Sequence, residues 1–110
     1  MKQALFVLVL ASLVFFGGIK AWAEQAVVAR KTFGCINQGF METILHYEAQ
    51  NEEVAFMRAL KVGLNSGICT LFERGEKIIL LDHDPKTKMV KVKKPNDPQE
   101  YWIISQMIQK

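Results

Sequence analysis

Cysteine, histidine and proline are scarce in this chain, and each scarcity excludes something. Only two cysteines, two histidines and three prolines occur in 110 residues. No Cys-x-x-Cys pair is present, and two cysteines with two distant histidines do not make the ligand spacing of a zinc site. No glycine-rich phosphate loop occurs; Gly63 and Gly67 suit helix ends instead. Ser66 and Ser105 lack the surroundings of an activated nucleophile. Excess charge is also lacking. Setting aside Lys2 and Lys20 leaves 12 basic residues against 11 acidic ones, a net charge of +1. General affinity for nucleic acid is therefore not expected. The length allows one domain, since domains take roughly 100–200 residues. A Rossmann enzyme, a TIM barrel and a cleft between two domains are all excluded.

What is there begins with a leader. Met1-Lys2-Gln3 is a short positive segment, Ala4 to Ile19 is apolar, and Ala21-Trp22-Ala23 offers small residues at a cleavage site. Residues 1–23 read as a signal peptide cleaved after Ala23, which places the protein in the periplasm or outside the cell. The alternative is an uncleaved anchor. The apolar run falls short of the about 20 residues of a spanning helix, and Gly17, Gly18 and Lys20 interrupt its end. No membrane span is expected in the mature chain.

Two cysteines in a small exported chain read as one disulfide, Cys35 to Cys69. Closing a loop of about 34 residues constrains the unfolded chain by roughly 3–4 kcal/mol in the loop-entropy model. A domain this small is marginal on core burial alone, so the bridge matters.

Residues 24–36 carry no clear period and are expected to be a lead-in segment. From Asn37, which can cap a helix, Phe40, Met41, Ile44 and Leu45 form one apolar stripe. Ala49-Gln50-Asn51 breaks the pattern, and Asn51 reads as a second N-cap with Glu52 and Glu53 in the first turn. Val54, Met57, Leu60 and Leu64 then predict an inner helix face, broadened by Phe56 and Ala59, ending at Gly67 in the left-handed conformation. Two short helices joined tightly make an αα-hairpin over 37–66.

After Gly67 the period becomes that of strands. Ile68–Phe72, Lys77–Asp82, Lys88–Lys94 and Glu100–Ser105 are expected to be antiparallel neighbours, with a short closing segment at Met107 and Ile108. Asp84-Pro85-Lys86-Thr87 suits a type I turn. In the third strand Val90 and Val92 point one way, and Met89, Lys91 and Lys93 the other.

These strands carry a resemblance. Gly75-Glu76-Lys77, Val90-Lys91-Val92, Tyr101-Trp102-Ile103 and Met107-Ile108 follow the order of motifs in the later strands of bacterial SH3-like (SH3b-type) domains. The similarity covers Leu71–Ile108. The opening strand of that family has no counterpart, its place being taken by the two helices and Cys69. The resemblance implies a small twisted barrel, a fold that serves many functions.

Asp82-His83-Asp84 is the sharpest cluster of potential metal ligands. Alternation lets only Asp82 and Asp84 converge, and a solvated strand end before a proline turn is the simpler reading. Trp102 is expected in the core, leaving its neighbour Tyr101 available for aromatic stacking. The one local excess of charge is Lys86, Lys88, Lys91, Lys93 and Lys94, within which Lys91 and Lys93 share a face. Such a run guards a strand edge or meets an acidic partner.

Taken together, the sequence predicts an exported α+β protein. An N-terminal αα-hairpin packs on a small antiparallel SH3-like partial barrel (strands within 68–108), in a single domain over 37–110 held by one disulfide. The expected function is non-catalytic binding of an envelope protein or an anionic wall polymer, with Tyr101, Lys91 and Lys93 as first contacts. Nothing in the sequence calls for a cofactor or a catalytic residue. The alternatives are an inhibitor or immunity protein that occludes an envelope hydrolase with its Asp82–Lys88 loop, and a small metal-dependent enzyme at Asp82, His83 and Asp84. A structural subunit presenting an apolar helix face is the remaining class.

Overall fold

A computed structural model describes residues 24–110. The expected signal peptide, residues 1–23, lies outside the described residues. Strands β1 (Glu24–Val28) and β2 (Thr32–Cys35) come first, followed by helices α1 (Gln38–Ala49) and α2 (Glu53–Ser66). Then come β3 (Cys69–Phe72), β4 (Lys77–Asp84), β5 (Met89–Lys93), β6 (Glu100–Ile104), a 3-10 turn (Ser105–Met107) and β7 (Ile108–Gln109). All seven strands form one sheet in the order β3-β2-β6-β5-β4-β1-β7, and every neighbouring pair is antiparallel.

The expected fold class is overturned. The domain is mostly β, and its helices follow two strands instead of forming an N-terminal hairpin on an SH3-like partial barrel. The segment 24–36, expected as a lead-in, holds β1 and β2. β1 is too short to display a period, and β2 is covered along its whole length. All four residues of β2 are buried, and in β1 only Ala26 and Val28 alternate inward. Their partners lie far along the chain: β1 pairs with β4 and β7, and β2 with β3 and β6.

Side-chain alternation along the strands divides the interior in two. On one face Ala26, Val28, Phe72, Ile78, Val90, Val92, Tyr101 and Ile103 pack together, with Met107 and Ile108 closing over them. Phe72 on one edge strand and Val28 beside the other edge meet in that cluster, so the sheet is strongly curled. On the opposite face Phe33, Cys35, Cys69, Met89, Trp102 and Ile104 receive Met41 and Ile44 of α1 and the inner side of α2.

The helical pair hangs between two bridged strands. Cys35 and Cys69 stand directly opposite in register, with Cα atoms 3.9 Å apart, and form the disulfide expected from the sequence. The Ile36 amide donates to the Ile68 carbonyl just beyond it at 2.8 Å. Asn37 caps α1 as expected, its side-chain oxygen accepting from the Phe40 amide at 3.0 Å.

Asn51 plays a different part from the one its sequence context suggests. It has φ 58°, and its amide donates to Glu48 while that of Glu52 donates to Tyr47. That is the six-to-one and five-to-two pairing that ends a helix on a left-handed residue. Asn51 therefore closes α1, and Glu52 stands at the N-cap of α2 without a side-chain hydrogen bond. Gly67, with φ 83°, ends α2 as expected.

Candidate binding surface

The register of the sheet aligns Cys69, Cys35, Trp102, Lys91 and Asp82 in one row across β3, β2, β6, β5 and β4. Lys91 is consequently engaged within the molecule. Its Nζ lies 5.3 Å from the centre of the Trp102 ring and 3.7 Å from Glu100 Oε1. The ammonium is held by the negative face of the indole and by a carboxylate. Lys93 Nζ donates to the carbonyls of Lys94 at 3.3 Å and Pro95 at 3.5 Å.

Lys94 crosses to the edge strand, donating to the Leu71 carbonyl at 3.4 Å and pairing with Glu76 at 3.1 Å. It blunts the outward backbone of β3, a recurrent use of lysine at sheet edges. The lysine run thus ties strands together more than it offers an open cationic stripe.

Tyr101 faces inward. It is 8% exposed, and its ring stands edge-on to Phe72 with centroids 5.8 Å apart. Burial raises its pKa above 10.0, the charge of Asp97 adds to that, and Lys94 opposes it. The ring is not presented for stacking against a ligand. Trp102, half-buried under the helices, occupies the core position expected of it.

Asp82, His83 and Asp84 do not converge. Asp82 opposes Lys91 and Asp84 opposes Met89, while His83 opposes Val90 on the other face; a bulge at Leu81 precedes them. Asp82 Oδ1 accepts from the His83 amide at 2.8 Å. Among the described residues no group of three or more histidine, cysteine, aspartate or glutamate side chains could hold a metal ion.

Asp84 is instead a brace. Its Oδ2 accepts from Gln38 Nε2 at 2.7 Å and its Oδ1 from the Lys86 amide at 3.0 Å, while Gln38 also donates to Thr87 Oγ1 at 2.9 Å. The Gln38 amide foremost holds the Asp84 carboxyl below its ordinary value; desolvation opposes it, and the Lys86 amide and the donors of Thr87 add smaller lowering effects. The first turn of α1 is thereby fastened to the β4–β5 hairpin.

The surface that stands out is on α2. Gly63 seats this helix on the disulfide: a Cβ there would lie 2.6 Å from Cys69 Sγ and 2.9 Å from the Phe40 ring. Only hydrogen fits, so the helix axis comes close and its rotation is set. Phe56, Ala59, Leu60 and Leu64 turn toward the sheet, whereas Val54 and Met57, expected on the inner face, remain 72% and 56% exposed.

Together with Glu53, Leu60, Lys61 and Leu64 they line an open groove of about 850 Å³. It is larger than the depression of about 490 Å³ beside β1 and β4 and that of about 350 Å³ near His83 and Ser105. The sequence holds two apolar stripes on α2, and Gly63 was the signal that could have told which one approaches the core.

No family model, curated protein or solved structure significantly matches the chain. Among the described residues no helix is long and apolar enough to cross a membrane.

Proposed function

We propose that this chain is a non-catalytic, exported binding module of the bacterial envelope that recognises a protein partner through the outer flank of α2. The exposure of Val54 and Met57 beside the half-buried Leu60 and Leu64 carries this reading. Contiguous apolar surface rimmed by Glu53, Arg58 and Lys61 is the kind that protein partners cover. The leader over residues 1–23 and the Cys35–Cys69 bridge support an oxidising compartment. We place the protein in the periplasm or outside the cell, after cleavage following Ala23. An anionic wall polymer is less well served, because Lys91 and Lys93 are already engaged.

A second reading, occlusion of an envelope hydrolase by the Asp82–Lys88 hairpin, is favoured by one observation. Gln38 holds the hairpin through Asp84 and Thr87, and a rigid protruding loop is what an inhibitor needs.

A photoreactive benzoylphenylalanine placed at Met57 or at Lys86 in the exported protein tests both. Adducts from position 57 and none from position 86 are the expected result. Adducts from 86 alone would transfer the role to the hairpin, and adducts from neither would sink both readings.

A further inference from the structure

The geometry points to a second copy of this chain as the occupant of the α2 groove, with the two α2 helices packed antiparallel about a two-fold axis. The inference rests on the reading of α2 as a protein-docking flank and commits it to one partner. Val54, Met57, Lys61 and the half-buried Leu64 follow one another at helical spacing along the groove. That stripe is nearly symmetric about its own middle, so a copy rotated by two-fold symmetry meets it in register, as an isologous contact requires. Val54 falls opposite Leu64 of the second copy, and Met57 opposite the aliphatic stem of Lys61, whose ammonium remains in water.

Charge selects the direction. Glu53 stands at the N-terminal end of the groove, and Lys61 lies toward its other end. In the antiparallel arrangement Glu53 of each copy lies about 6 Å along the axis from Lys61 of the other, within reach of the lysine side chain. A parallel arrangement would set Glu53 beside Glu53 and Lys61 beside Lys61. The seam is about 21 Å long, the length of a 14-residue helix. A seam of one helix length points to a reversible dimer rather than a permanent one.

The test is sedimentation equilibrium on the protein as processed by the exporting cell, from about 1 µM to 1 mM. The wild type should show a reversible monomer–dimer equilibrium, and Met57→Glu should be monomeric with an unchanged circular-dichroism spectrum. Glu53→Lys and Lys61→Glu should each weaken the dimer by about tenfold, since each replaces two rim attractions by repulsions. The double swap, and an equimolar mixture of the two single variants, should restore it, because opposite charges then face each other again.

A monomer throughout the range overturns the proposal, as does a double swap that fails to restore association. If the wild type is monomeric while position 57 still yields an adduct with another protein, the second copy falls and the docking flank stands. If position 57 yields no adduct either, both fall.

Discussion

Gly63 of α2 and Cys69 of β3 are in van der Waals contact through the disulfide sulfur, with no room for a methyl group between them. This contact sets how the helical layer sits on the sheet, and hence which residues of α2 face outward.

Gly63→Ala measures the tightness of that seat. In an open helix alanine would be favoured by about 1 kcal/mol over glycine. Here the added methyl meets Sγ of Cys69 and the Phe40 ring, and overpacking costs about 1–3 kcal/mol. The expected result is a net loss of stability in urea unfolding. A gain would show that α2 can lift without cost.

Opening the disulfide should cost more. The bridge spans 34 residues of sequence, so reduction, or Cys35→Ala with Cys69→Ala, should remove about 3–4 kcal/mol. That is a large part of the stability of a small domain. The urea midpoint with and without reductant checks it.

Lys88 holds φ at 60° in the β4–β5 hairpin, where its amide donates to Asp84 and its carbonyl accepts from Ser105, both at 2.9 Å. A side chain in the left-handed region costs about 1–2 kcal/mol. Lys88→Gly should raise the melting temperature by several degrees, about 4–8 °C per kcal/mol in a domain of this size. An unchanged or lower melting point would refute it.

Acid should loosen the brace on the other side of the same turn. The Asp84 carboxyl is held below 3.8, chiefly by Gln38. Its contribution is present above the unfolded value and is lost as pH falls from there through the folded one. Between pH 5 and 2 the melting temperature of Gln38→Leu should fall less steeply than that of the wild type. Parallel curves would remove the brace from the account.

Alkali acts on Tyr101 with the opposite sign. Its folded pKa is raised above 10.0, first by burial, so the contribution is complete below that value and is lost as pH rises above it. Tyr101→Phe should be within about 0.5 kcal/mol of wild type at pH 7. Above pH 10 it should lose less stability, as followed by thermal melts.

Local elements could be read from the residues; the architecture could not. The antiparallel run of β4, β5 and β6, the inward and outward alternation of β5, the Asn37 cap, the Gly67 stop and the Cys35–Cys69 bridge follow from local chemistry. By contrast β3, expected beside β4, lies at the far edge against β2. β1 and β2 did not show, because a four- or five-residue strand covered by distant partners has no period of its own. Asn51 was ambiguous because the same short amide side chain suits a helix start and a left-handed helix end. Periodicity places Val54 and Met57 inward because it identifies a stripe but not the closest approach. The fates of Lys91 and Tyr101 depend on Glu100, Trp102 and Phe72, which meet them only across strands.

The pairing of β1 with β4 and β7 has a consequence for the birth of the molecule. The leading strand has no neighbour to bond until most of the chain has followed it, and the last hydrogen bonds await Ile108 and Gln109. Such long-range closure slows folding. Until those two residues arrive, the flank of β1 that faces away from β4 stays open, so the sheet is completed from the far end of the sequence.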